Sequence, residues 1–246
     1  MAADAFDPLA SLLMKLRVRD IVTPEEEAAL RGAVSEHREV ADGKTIVKAG
    51  VTLSHSVLLT SGLACRYKDL SDGQRQITEL HVSGDFVDLH GFLLKQIDNH
   101  VGSMTPVTIA LVPHDALREI TETQPHLARM LWFSTLLDSA IHREKILSVG
   151  RRSAQSRIAH LLCELYVRLD IVGLAADLRY PLPLTQSDLA DASGLTSVHV
   201  NRMLKKLRDD DLVLFRGGEV VIRDWERLKR VAEFDPTYLY LERRPR

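Results

Sequence analysis

Apolar positions change their period along the chain. Over residues 6–19 they recur at helical spacing and predict a short amphipathic helix. A second helix is expected from Thr23-Pro24-Glu25-Glu26, where Thr23 caps, Pro24 suits the first helical position and Glu26 closes a capping box. From about 40 to 113, strand-like runs (TIVKAG, HSVLLTSGLACRYK, RQITELHV, MTPVTIALVP) alternate with turn signals at Asp42-Gly43, Ser61-Gly62, Asp72-Gly73, Ser83-Gly84 and Val101-Gly102. This texture predicts a small antiparallel barrel or jelly roll. Residues 125–149 then hold no further Gly or Pro after Pro125, with apolar residues at helical spacing, a helix about 37 Å long. Its apolar stripe is too wide for one small sheet. One side, with Leu127, Met130, Leu137 and Ile141, is expected to meet the same helix of a second copy; the alternative is burial wholly within its own chain. Gly150 interrupts the pattern before another helix over 153–172, and is expected as boundary and hinge. The expected domains are 1–124, 125–150 and 151–246.

Composition narrows the class. The 246 residues are 45% apolar and 27% charged, with a formal net charge of −2, which excludes a disordered chain, a collagen-like fibre and a histone-like polycation. No run approaches the roughly 20 apolar residues that span a bilayer. The first residues, MAADAFDPLASLLMKLRVRD, carry acids where an export signal needs bases, so none is expected. Cys65 and Cys163 are too few for a disulfide scaffold or a four-thiolate cluster, and the cytoplasm is the expected compartment. Charge is uneven: residues 1–150 hold 15 bases against 20 acids, residues 151–246 hold 17 against 14, which points to a nucleic-acid contact at the rear.

The most informative stretch is 185–208, TQSDLADASGLTSVHVNRMLKKLR. It reads as a helix over Gln186–Ser193, a tight turn at Gly194, and a second helix from near Thr196 to Arg208. Ala190 is small enough for the close crossing, and Leu189, Leu195, Val200, Met203 and Leu207 form a small core. The outer face of the second helix carries Ser197, Val198, Asn201 and Arg202, suited to base edges: Arg to guanine, Asn to adenine, Val to a thymine methyl. Thr185, Ser187, Thr196, His199, Lys205 and Lys206 are placed for phosphates. Two apolar strands flanking Arg216-Gly217-Gly218 predict a hairpin wing, with Arg216 near the DNA backbone.

The turn-rich strands, the long apolar helix, GRRSAQSRIAHLLCEL and LTQSDLADASGLTSVHVNRMLKKL together resemble the CRP/FNR transcription regulators, over about 25 to 225. The resemblance implies an α+β chain with an antiparallel β-roll sensor domain, a long dimerisation helix and a C-terminal winged helix–turn–helix. The implied function is a sequence-specific DNA-binding transcription regulator, acting as a homodimer on a palindromic double-stranded DNA site, with RNA polymerase as a further partner. In the recognition helix, Arg202 matches the family's Arg, but Val198 stands where Glu is common and Asn201 where Ser or Gly is, so the half-site is expected to differ.

The effector region departs further. The expected pocket residues are Gly84, Asp85, Phe86, Asp88, Leu89 and His90. Leu89 falls where the family's ribose-binding Glu belongs, and the phosphate-binding Arg would align near Ile97-Asp98. A desolvated cyclic phosphate needs a cation or several N–H donors, so cyclic AMP is not expected in the family's usual manner, unless a shift brings in Arg66 or Arg75. The scattered His81, His90, His100 and His114 form no tight metal-binding pair; no cofactor, metal or catalytic residue is assigned. The alternative function is a metal-dependent small-molecule enzyme on a cupin-like jelly roll. It requires an H-x-H…Glu…His arrangement that the sequence lacks.

Overall fold

The computed structural model describes residues 7–243, which gather into two compact units. One holds residues 7–64, 81–135 and 242–243; the other holds residues 65–80 and 136–241. The predicted helix start at Phe6 lies outside the described residues.

The first unit begins with α1 (Ala10–Arg19) and α2 (Pro24–Gly32). The capping box of α2 forms as expected: Thr23 Oγ1 accepts from the Glu26 N–H at 3.2 Å, and Glu26 Oε2 accepts from the Thr23 N–H at 2.9 Å. Then come β1 (Glu36–Val40), β2 (Thr45–Val47) and β3 (His55–Ser61). The strands β4 (Ala64–Asp69) and β5 (Arg75–His81) follow and lie mainly in the second unit. The chain returns as α3 (Gly91–Leu94), β6 (His100–Ser103), β7 (Val107–Pro113), α4 (His114–Thr123) and the first turns of α5 (Pro125–Arg151). An antiparallel sheet has the order β1-β7-β3, and β2 pairs with β6. Leu59, Val87, Val101 and Ile109 fill its interior, while Leu12, Leu13 and Leu16 of α1 pack with Leu117, Ile120 and Leu127. The Gly84-Asp85-Phe86 turn seats α1. At φ +88° a Cβ on Gly84 would lie 2.7 Å from the Ser11 carbonyl, and Asp85 bonds Lys15.

In the second unit β4 pairs with β5, and the remainder of α5 leads to α6 (Ala154–Ile171), β8 (Arg179–Pro181), α7 (Gln186–Ser193), α8 (Ser197–Asp209), β9 (Val213–Arg216), β10 (Glu219–Ile222), α9 (Trp225–Ala232) and a 3₁₀ turn (Pro236–Leu239). Ile158, Leu162 and Leu165 of α6 are fully buried, and α6 packs against α8 and α9.

Two expectations are corrected. Gly150 does not break the long helix, which runs on to Arg151. The break falls at Ser153, whose hydroxyl caps α6 from an extended conformation (φ −61°, ψ 157°). Val101-Gly102 lies inside β6 rather than in a turn. The strands β1, β6 and β8 and the helices α3, α4 and α9 had no clear signature in the sequence; β1 (EHREV) is polar and largely exposed.

Candidate nucleic-acid interface

The short helix α7 is pinned by its own sequence. Thr185 Oγ1 accepts from the Asp188 N–H at 3.1 Å, and the Asp188 carboxylate accepts from the Thr185 N–H at 3.0 Å. Its C-terminus closes on Gly194 at φ +61°, a left-handed residue, and the Gly194 and Leu195 N–H groups both donate to the Ala190 carbonyl. Thr196 then caps α8, its hydroxyl accepting from the His199 N–H. Leu189, Val200 and Leu207 are buried in the angle between the helices, and Leu195 and Met203 are half-buried beside them.

The outer face of α8 is open. Ser197, Asn201 and Arg202 are exposed, and Val198 is 76% exposed. Among the described residues no hydrogen bond or ion pair holds Arg202. Ser187, His199, Lys205 and Lys206 are exposed nearby. Arg216 and Glu219 face each other across Gly217-Gly218, both glycines at positive φ, which makes the two-residue hairpin of a wing; β8 pairs with the far edge of β10. The Thr185 N–H and hydroxyl proton both go to Asp188.

The sequence did not foretell how the β4–β5 hairpin engages this motif. Arg75 Nε donates to Asp191 at 2.9 Å and Nη2 to Asp188 at 2.9 Å, while the Gln76 amide donates to the Asp191 carbonyl at 2.7 Å. Deeper, Arg66 bridges Glu79 at 2.7 Å and Asp138 at 2.9 Å. Burial, with the Asp138 charge adding to it, pushes the Glu79 carboxyl up to about 8; Arg66 opposes that shift. On α6, burial pushes His160 down to about 4 and holds the Cys163 thiol well above its ordinary range. Cys65 is buried too.

Of the six residues expected to line an effector pocket, Gly84, Asp85, Phe86, Asp88 and Leu89 are buried in the first unit. Asp85 accepts from the Val82 N–H and bonds Lys15, Asp88 accepts from the Val57 N–H at 2.6 Å, and Phe86 and Leu89 join the apolar core; Gly84 is buried and His90 half-exposed. The Asp85 and Asp88 carboxylates satisfy backbone donors of the roll. The expected dimer face is corrected. Leu127, Met130 and Ile141 are buried within the chain and Leu137 half-buried, whereas Trp132 (65%), Leu136 and Ile146 (73%) are exposed. Among the described residues no group of three or more His, Cys, Asp or Glu is arranged to hold a metal ion, and no helix is long and apolar enough to cross a membrane.

A β-roll and a winged helix–turn–helix on one chain define the class of protein. Residues 37–124 match the cyclic nucleotide-binding domain family and residues 156–231 the Crp-like helix-turn-helix domain family. The transcriptional activator protein FnrL of Cereibacter sphaeroides is 28% identical over 214 residues, covering 85% of this chain and 86% of FnrL. Electron transport regulator A of Shewanella oneidensis is 23% identical, covering 81% of this chain and 79% of that protein. The structure of FixK2 from Bradyrhizobium japonicum superimposes with a TM-score of 0.71 at 25% identity, covering 80% of this chain and 97% of FixK2. The chain belongs to the CRP/FNR family of transcription regulators.

Proposed function

We propose that two copies of this chain bind a palindromic double-stranded DNA site, each inserting α8 into the major groove of one half-site. The observation that carries this reading is the solvent-open row Ser197, Val198, Asn201 and Arg202 on a helix whose opposite face is buried. Ser187, Thr196, His199, Lys205, Lys206 and the wing Arg216 supply backbone contacts. Gel shift after selection from random DNA tests it. The expected result is a two-fold motif with half-sites about one helical turn apart, bound with an affinity that falls steeply with salt; binding no sequence above bulk DNA counts against it.

The dimer reading rests on the exposed side of α5, where Trp132, Leu136 and Ile146 offer apolar surface to a second α5. Leu136→Asp is expected to convert a dimer into a monomer by light scattering and to lower affinity for the full palindrome. A variant that stays dimeric places the interface elsewhere.

Cyclic AMP in the family's usual manner is not part of this reading. Leu89 and Asp98 stand at the expected sugar and phosphate positions, and Arg66 and Arg75 are spent on acidic partners. The proposed compartment is the cytoplasm, RNA polymerase is a proposed partner, and 1–124, 125–150 and 151–246 are the proposed sensor, dimerisation and DNA-binding segments.

A further inference from the structure

Gln186, the first residue of α7, sits 15 positions before Asn201, yet its side-chain oxygen accepts a hydrogen bond from Asn201 Nδ2 at 3.2 Å. Both residues are exposed on the side of the motif assigned to DNA. The Thr185–Asp188 capping box fixes the turn that carries Gln186, so its side chain reaches Asn201 from an anchored base.

We propose that Gln186 is a positioning residue for base reading: it orients the Asn201 amide so that oxygen and one N–H face the groove in the order adenine requires. This rests on the reading of α8 as the groove-facing helix. A terminal amide has an acceptor edge and a donor edge that exchange when it rotates by half a turn. Adenine in the major groove offers an acceptor, N7, and a donor, the N6 amino group, so only a defined amide orientation gives two bonds. The Asn201 nitrogen carries two hydrogens. One goes to Gln186, which turns the nitrogen toward α7, and the second remains beside Oδ1 for the base. With Gln186 Oε1 as acceptor, the arrangement seen here holds the Asn201 amide in one of the two orientations before DNA arrives and lowers the ordering cost at binding.

The test uses the full chain and the DNA motif selected by the wild type, with each base pair varied singly in competition binding. Asn201→Ala locates the pair that Asn201 reads. Gln186→Met, which removes the acceptor at similar length, is expected to reduce discrimination at that pair by about three- to tenfold, leaving the preference due to Arg202 and the melting temperature unchanged. In an Asn201→Ala background the same substitution is expected to add nothing. Gln186→Glu keeps an acceptor and is expected to retain the discrimination, with weaker binding to every sequence through repulsion from phosphates. Unchanged discrimination in Gln186→Met overturns the proposal. So does an equal loss on all sequences, which makes Gln186 a phosphate contact, or equal loss of discrimination in the Met and Glu variants. Asn201→Ala retaining every wild-type preference shows that Asn201 reads no base and overturns the proposal, whereas the reading of α8 itself falls only if Arg202→Ala also leaves every preference unchanged.

Discussion

Above pH 8, where Glu79 is ionised, Arg66→Met is expected to lower the stability of the chain by about 3–5 kcal/mol, because it leaves the buried Glu79 and the half-buried Asp138 without the guanidinium they share. Arg66 is 4% exposed and Glu79 2%, and Asp138 is half-buried. The guanidinium is the bidentate link between β4, β5 and α5, with bonds of 2.7 and 2.9 Å. Even the lower figure corresponds to a fall in Tm of about 6–12 °C for a chain of this size. The loss depends on pH in a defined direction. The Glu79 carboxyl holds its proton up to about 8 in the folded chain against an ordinary value of 4.5, so the folded state binds the proton that the unfolded state releases. Stability from this group is therefore complete below about 4.5 and declines as pH rises toward 8. Removing Arg66 takes away the charge that favours the ionised form and extends the decline upward. Thermal unfolding at pH 5.5 and pH 8.5 is expected to show the smaller loss at the acid value. The double variant Arg66→Met/Glu79→Gln is expected to regain part of it, since the amide carries no charge to strand. A loss that is the same at both pH values sinks this account of the cluster.

Arg202→Ala has its large effect on binding rather than folding. The side chain is exposed, so Tm is expected to stay within about 1 °C of wild type, as for surface positions away from special features. On the selected site the loss is expected at about 1–3 kcal/mol per half-site, and both half-sites of a dimer lose it. Preference at one base pair of each half-site should relax, with affinity for unrelated DNA nearly unchanged. Arg202→Lys keeps the charge but not the two-pronged donor, so it should keep the salt dependence and lose the discrimination. Lys206→Ala is the contrasting case: a uniform loss on all sequences and a shallower salt slope. Equal weakening on every sequence in Arg202→Ala would reassign that residue to the phosphates.

How much of the site could be read in advance follows from the range of the interactions. The capping box at Thr23, the left-handed Gly194 and the Gly217-Gly218 hairpin are short-range geometry, and each sits where its residues predict; the Thr185–Asp188 box is as local, but the sequence alone suggests a phosphate contact for Thr185. The open face of α8 is equally local, because a helix with Val200 and Leu207 buried on one side must present Val198, Asn201 and Arg202 on the other. Periodicity gave the existence of α5 but not its orientation. Apolar residues lie nearly all round it, so only packing decided that Leu127, Met130 and Ile141 face inward and Trp132, Leu136 and Ile146 outward.

The chain by itself determined its class and the open face of α8, because those depend on residues within one or two helical turns of each other. The tertiary structure alone decided the partners of charged and polar groups far apart in sequence: Arg75 with Asp188 and Asp191, Arg66 with Asp138, Gln186 with Asn201. A side chain's charge and length are legible from its identity. Which opposite group it meets is set by how the sheets and helices pack, and no local period records that.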